Sequence, residues 1–269
     1  IVERRDEATR ASGMGDVNLA GQQIVAREIE FQSGPRRLKG YLHVPPGPGP
    51  FPCMITNHGS GIDQGTSDVC RPGTASWLMS WGVASFLPHR QGYGNSPGTP
   101  WREEVSAAFG TAEYDVELAA RLDRESGDIL AALDAVAARP EIRADRIGVM
   151  GSSFGGTTTL LAAAKSPRAR CAVEFAGAAM NWDRTPGLRR LMLEAAQRLT
   201  RPIFFIQAAN DYSIRPTLEL AKSLEGGTKI VQSKIYPAHG LTSHEGHLFE
   251  STGQLIWGED VRAFLERYL

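Results

Sequence analysis

Residues 146–160 read Arg146-Ile-Gly-Val-Met-Gly-Ser-Ser-Phe-Gly-Gly-Thr-Thr-Thr-Leu160. Ile147, Val149 and Met150 make a short apolar strand, and Gly151-Ser152-Ser153-Phe154-Gly155 is a G-x-S-x-G pentapeptide. A Thr/Leu/Ala-rich helical run begins at Thr157. Strand, tight turn and helix, in that order, are the setting in which such a turn carries a nucleophilic serine. The turn strains the backbone of its central residue and lifts the hydroxyl clear of the sheet. A side chain at Gly151 or Gly155 would strike the neighbouring strand or helix, so both positions must be small. Ser153 is the candidate nucleophile, and a structural Gly/Ser turn is the competing reading.

Outward from that turn, apolar strand-like runs alternate with helical patterns, which predicts an α/β fold with a mostly parallel, doubly wound sheet and helices on both faces. Residues 24–33 and 37–44 read as an N-terminal hairpin turning at Gly34-Pro35. Phe51–Asn57 and Gly82–Leu87 are the next strands, with a helix over Ala75–Trp81 between them. A long helix is expected over 113–138, because Leu122, Ile129, Leu133 and Val136 share one face at helical spacing. Further strands are expected near 170–176, 202–208 and 229–236, before a terminal helix carrying Val261, Phe264, Leu265 and Tyr268. Residues 1–23 read as a polar extension and 24–269 as a single domain. The space between the strands at 170–176 and 202–208 admits about one helix, not a large lid domain.

A serine hydroxyl is a weak nucleophile at neutral pH, so the turn implies a histidine base and a carboxylate that orients it. In this topology they follow in the order Ser, acid, His, on loops beyond later strands. The buried-strand run Pro202–Gln207 leads through Ala208-Ala209-Asn210 to Asp211, the preferred acid. The alternatives are that Asp211 caps the helix near Pro216, or that Asp183 is the acid. Three histidines follow the last strand, His239, His244 and His247. His247 is preferred because it lies nearest the helix and follows a glycine; His239, nearer the strand end, is the main rival. Their spacing does not match a helical H-E-x-x-H metal motif.

Phe51–Thr56 runs into Asn57-His58-Gly59-Ser60-Gly61, a His-Gly turn whose backbone N–H groups are suited to an oxyanion. The expected donors are Ser60 and the residue after the nucleophile, Phe154, with Gly59 as the fallback and His58 read as structural. The loop over 91–112, with Tyr93, Trp101 and Phe109, is a candidate pocket wall, although each aromatic is equally readable as core.

Composition sets outer bounds. Lys+Arg 29 against Asp+Glu 30 gives a net charge of −1, with no basic patch, so neither nucleic acid nor an anionic membrane is an expected partner. No apolar run approaches the ~18–20 residues that span a bilayer. The first twenty residues hold no signal-peptide core, which leaves localisation open, and quaternary state is equally unreadable. Three cysteines make no complete disulfide framework. Cys53 and Cys171 read as buried free thiols and Cys70 as a residue of a polar loop.

Asn57-His58-Gly59-Ser60, the loop Arg90-Gln-Gly-Tyr93-Gly-Asn-Ser-Pro-Gly98, the turn around Ser153, and Tyr236-Pro with the later Gly246-His247 together resemble the dienelactone hydrolase-like branch of the α/β-hydrolases. The resemblance runs from about residue 25 to the end. It implies an α/β-hydrolase fold and hydrolysis of small to medium carboxylic esters or lactones without a cofactor, with Gly246-His247 matching the family's histidine motif. Dienelactone hydrolases proper carry cysteine at the turn. Ser153 therefore points away from dienelactone and toward serine esterases of the branch. A peptidase, an acyltransferase using the same triad, and a non-catalytic protein on this fold are the alternatives.

Overall fold

The computed structural model describes residues 13–66 and 71–269, so Cys70 and the first twelve residues lie outside the account that follows. Eight strands form one sheet: β1 Arg27–Ser33, β2 Arg36–His43, β3 Phe51–Asn57, β4 Ala84–Pro88, β5 Ile142–Ser152, β6 Ala172–Phe175, β7 Ile203–Ala208 and β8 Val231–Tyr236. Their order is β1-β2-β4-β3-β5-β6-β7-β8. β1, β2 and β4 pair antiparallel, and every pairing from β4 onward is parallel. The expected hairpin is present, with Gly34 at φ 54° in its turn. β5 is longer than its apolar run, because Ile142 also pairs with Phe51.

The helices are α1 Pro72–Ser80, α2 Trp101–Glu104, α3 Ala112–Ala137, α4 Phe154–Lys165, α5 Pro186–Arg198, α6 Arg215–Ser223, α7 Ser243–His247, α8 Phe249–Thr252 and α9 Gln254–Tyr268. α1 begins three residues before its apolar run, because Pro72 with its fixed φ suits a first turn. Thr111 caps α3 by accepting the Tyr114 N–H. α5 alone lies between β6 and β7, as the chain length there allows.

Parallel strands covered on both faces need mostly apolar residues, and the central ones have them apart from Glu174 and polar residues near the strand ends. Successive side chains then part to opposite faces. Cys53, Ile55, Ile147, Val149, Ile203 and Phe205 join Leu122, Ile129, Leu133 and Val136 of α3 and the inner faces of α4 and α5. Met54, Met150, Val173, Phe175, Phe204 and Ile206 join Leu78 of α1, with Trp257, Val261 and Phe264 of α9. Part of the expected polar extension also enters this second core. Met14 is buried there, and Gly15 donates its N–H to the Trp81 carbonyl at 3.0 Å.

The connection from β3 leads to β4 on one side of the sheet, and the chain then returns to place β5 on the other. The carboxyl ends of β3 and β5 thus flank a topological switch point, where open α/β sheets leave a crevice for ligands. The turn leaving β5 presses closely on the end of β3. A Cβ on Gly151 would lie 2.6 Å from the Gly155 carbonyl oxygen and 2.7 Å from Asn57 Cβ. One on Gly155 would lie 2.6 Å from the His58 carbonyl oxygen. Both glycines are demanded by backbone contact, which no rotamer change can relieve. Gly155→Ala is expected to lower unfolding free energy by about 3 kcal/mol, read from the urea midpoint. A shift below about 0.5 kcal/mol would show that this contact is loose.

Candidate active site

Ser153 sits between β5 and α4 with φ 60° and ψ −124°. A residue with a side chain adopts such angles only when its surroundings over-determine them. Here the Ser153 N–H donates to the Phe175 carbonyl of β6, and its carbonyl accepts the Thr157 N–H, both at 3.0 Å. Ser152, its neighbour, belongs to the strand. The strained position therefore singles out Ser153.

Asp211 follows the end of β7 and is buried. Its Oδ1 lies 2.9 Å from His247 Nδ1 and accepts the Tyr212 N–H at 2.6 Å, while Oδ2 accepts Gln207 Nε2–H at 2.8 Å. A carboxylate only accepts, so Nδ1 of His247 carries a proton and Nε2 is left as the acceptor in the neutral ring. The Tyr212 ring meets that imidazole edge-on, with centroids 5.4 Å apart. Asp211 does not cap α6, whose cap residue is Ile214. Asp183 instead forms an exposed ion pair with Arg215.

His247 ends α7, a single turn closed by a capping box between Thr242 and Glu245. Asn210, beside Asp211, ties this turn down. Its Nδ2 donates to the carbonyls of His239 and Thr242 at 3.0 and 2.9 Å, and its Oδ1 accepts the His239 N–H at 2.8 Å. His239 turns away to Thr252, with Nε2 2.8 Å from Oγ1, and His244 is exposed, with Nδ1 3.4 Å from the Tyr212 hydroxyl. Of the three histidines, His247 alone meets Asp211.

Ser153 and His247 line a cavity of about 400 Å³ together with Gly59, Ser60 and Gly61. Among the described residues Ser153 Oγ has no hydrogen-bond partner, and such contacts commonly tighten only with substrate. Gly59 passes so close that a Cβ there would lie 3.3 Å from Ser153 Cβ. Phe154 is the first residue of α4, where backbone N–H groups have no partner within the helix. A larger hollow of about 620 Å³ runs along one face of α5 between Pro186 and Arg198, but it holds no nucleophile.

The cavity wall differs from the expected one. Tyr93 is fully buried, Phe109 packs on Tyr114, and Trp101 packs on Phe154 while donating its indole N–H to the Ser60 carbonyl at 3.2 Å. The wall is instead built by Met180, Tyr212 and Leu248, with Arg71 and Glu250 farther in. Loop 91–112 is drawn inward because Arg121 of α3 donates to the carbonyls of Gln91 and Thr99 at 2.5 and 2.8 Å. Glu250 accepts from Thr74 Oγ1 at 3.1 Å and from Arg71 Nη1 at 3.3 Å, so its charge is matched.

Glu174 of β6 was not legible as part of the site. It is buried behind the turn, accepts the Gly177 N–H, and would touch a Cβ on Gly156 at 2.8 Å. Burial pushes its carboxyl up to about 8, with Asp211 adding repulsion against the Gly177 hydrogen bond. The signal available was one acid inside the apolar run Cys171–Phe175. The buried thiols Cys53 and Cys171 are likewise pushed up by burial, Cys171 to about 12, and are inert as nucleophiles.

The fold can be compared with known proteins. The sequence model of the dienelactone hydrolase family matches residues 40–266. This chain belongs to the dienelactone hydrolase family. Among curated relatives, an acyltransferase of Aspergillus calidoustus is 26% identical over 158 residues, 58% of this chain and 44% of its own length. A probable 2-oxo-3-(5-oxofuran-2-ylidene)propanoate lactonase of Bradyrhizobium is 32% identical over 120 residues, 44% of this chain and 48% of its own. The chain thus spans about half the length of these relatives. Among solved structures, an esterase of Pyrococcus furiosus superposes with a TM-score of 0.66 at 16% identity, covering 94% of this chain and 95% of its own. An acylaminoacyl peptidase of Pyrococcus horikoshii gives 0.70 at 17%, covering 92% and 42%. At these identities the structural likeness establishes the α/β-hydrolase fold of this family member and nothing finer.

Glu174 gives a pH signature. Between about 4.5 and 8 the unfolded chain releases a proton that the folded chain keeps, so rising pH in this window lowers stability. Glu174→Gln removes the titration and keeps an acceptor for Gly177. Urea midpoints at pH 5 and pH 8 are expected to show the wild type falling behind the variant by up to about 1.4 kcal/mol per pH unit. A difference that stays constant with pH would mean that Glu174 titrates normally.

Proposed function

We propose that this member of the dienelactone hydrolase family is a serine hydrolase that cleaves small to medium carboxylic esters or lactones through an acyl-enzyme. The observation that carries the reading is the buried Asp211–His247 pair, 2.9 Å apart, opening on the same cavity as a serine held at φ 60°. Family membership and the lactonase among its curated relatives support the same chemistry.

Ser153 Oγ attacks the acyl carbonyl while Nε2 of His247 takes its proton. Asp211 fixes the Nδ1–H tautomer and stabilises the imidazolium as it forms. The carbonyl oxygen becomes an oxyanion between the N–H groups of Ser60 and Phe154, which strengthen their hold as charge develops. His247 then hands its proton to the leaving oxygen, and a water activated by the same nitrogen releases the acid and restores the serine. For a lactone the alcohol stays tethered to the acyl group through the first step. Every proton passes through His247.

A cavity of about 400 Å³ suits a small or medium substrate, and Met180, Tyr212 and Leu248 offer it apolar surface. One observation favours a second reading: a curated relative is an acyltransferase, and transfer differs from hydrolysis only in which nucleophile meets the acyl-enzyme. Peptide hydrolysis would use the same groups.

Initial rates on p-nitrophenyl esters, lactones and peptide amides, with and without an added alcohol acceptor, separate these reactions. Esters and lactones are expected to turn over fastest, with water as the main acceptor. Ser153→Ala is expected to lower kcat by about 10⁴-fold or more with an unchanged circular dichroism spectrum, and His247→Ala similarly. His239→Ala is expected to retain most activity. A folded Ser153→Ala protein that keeps its esterase activity would sink the assignment.

A further inference from the structure

The turn after β3 is gripped from beneath by an arginine. Arg90 follows β4, is fully buried, and extends its guanidinium under residues 58–59. Nη1 donates to the His58 carbonyl at 2.7 Å and Nη2 to the Gly59 carbonyl at 3.4 Å. His58 closes the grip. Its Nδ1 lies 2.7 Å from the Gly59 carbonyl, and its Nε2 faces the Arg90 N–H at 3.3 Å. A carbonyl only accepts, so Nδ1 is the protonated nitrogen and Nε2 the acceptor. Burial, with Arg90 and His89 beside it, holds this imidazole well below its ordinary range and so neutral.

The direction of these bonds matters more than their number. A trans peptide points its N–H opposite its C=O. With the Gly59 carbonyl held down toward His58 and Arg90, the Ser60 N–H of the same peptide is turned to the opposite side. With the His58 carbonyl held in the same way, so is the Gly59 N–H. A Cβ on Gly59 would lie 3.3 Å from Ser153 Cβ, so these peptides border the serine. Trp101 fixes the next peptide through the Ser60 carbonyl at 3.2 Å.

The arginine is itself held by a buried ionic array. Arg90 Nε donates to Glu125 Oε2 and Arg121 Nε to Glu125 Oε1, each at 2.6 Å, and Arg121 also pairs with Glu104. Tyr93 stacks under both guanidiniums at 5.0 and 5.7 Å. Arg124 also pairs with Glu104, so three arginines meet two glutamates. Such arrays rarely stabilise a fold better than apolar side chains of equal volume, because desolvation offsets the attraction. What apolar residues could not supply is a rigid two-pronged donor aimed at two adjacent carbonyls.

We propose that Arg90 is a positioning residue for the oxyanion site, acting through the His58 and Gly59 carbonyls to aim the Ser60 N–H at the developing charge; this rests on the ester-hydrolase reading above. Arg90 never touches substrate. Its effect belongs to the transition state and to any tetrahedral adduct, in which Ser153 Oγ has added to a carbonyl, the proton has moved to His247 and the oxygen has become anionic.

Arg90→Lys keeps the charge beside Glu125 but loses the fork. With p-nitrophenyl acetate, the variant is expected to lose about 10²-fold in kcat, with KM within about threefold. The inhibition constant of an aryl trifluoromethyl ketone, which forms the tetrahedral adduct, is expected to rise by a similar factor. A folded variant with kcat within threefold of wild type, or with reduced kcat and unchanged ketone affinity, overturns the proposal. If the lysine variant does not fold, the R90Q/E125Q double variant, which removes one charge of each sign, is read by the same split. The wild type is assayed alongside for turnover and fluorophosphonate labelling. Their absence would sink the hydrolase reading itself, whereas an active wild type beside an unaffected variant sinks the role of Arg90 alone.

Discussion

The close passage of the turn after β5 across the end of β3 is the constraint on which the rest of the site depends. Gly151 and Gly155 leave no room for a Cβ against Asn57 and the His58 carbonyl. That contact brings three things together: the strained serine, the first turn of α4 with its unpaired N–H groups, and the His-Gly turn that follows β3. Any larger residue would separate them. Strain at Ser153 persists because backbone bonds to Phe175 and Thr157 hold both of its ends.

Burial of charge around the site follows one rule, that each ionised group has a counter-charge or several donors. Asp211 has His247, Tyr212 N–H and Gln207; Glu250 has Arg71 and Thr74; Glu125 has two arginines. Glu174 departs from it, with the Gly177 N–H as its donor, and burial favours its protonated form. A neutral acid behind Asp211 spares that carboxylate a like charge at close range.

Much of the fold was legible because parallel strands buried on both faces write continuous apolar runs, and the long α3 repeats its apolar face at helical spacing. Ser153 stood out as the candidate nucleophile because its turn requires glycine at fixed offsets. Asp211 stood out as the candidate acid because it follows a strand end. Choosing among His239, His244 and His247 needed more, since topology says only that the base follows the last strand. The choice turns on Asn210, which bonds across about thirty residues of sequence to orient α7, and local pattern does not report such contacts. Whether Tyr93, Trp101 and Phe109 are core or wall was open in the sequence for a related reason. Arg121 and Glu125 look like solvated charges on a helix, yet they lie inside and draw loop 91–112 away from the cavity. Met180 follows two residues, Ala176 and Ala178, at positive φ, a conformation that alanine does not advertise.

Asn210 also determines how the site is held together. It joins the loop bearing Asp211 to the turn bearing His247 through three hydrogen bonds, and the carboxylate–imidazole contact adds a fourth. Ser153 belongs to a different body, the β5–α4 turn wedged against β3. The contacts that join Asp211 to His247 are thus separate from those that hold Ser153. On the reading proposed above, the gap between Oγ and Nε2 is the one contact of the set left for a bound acyl group to close.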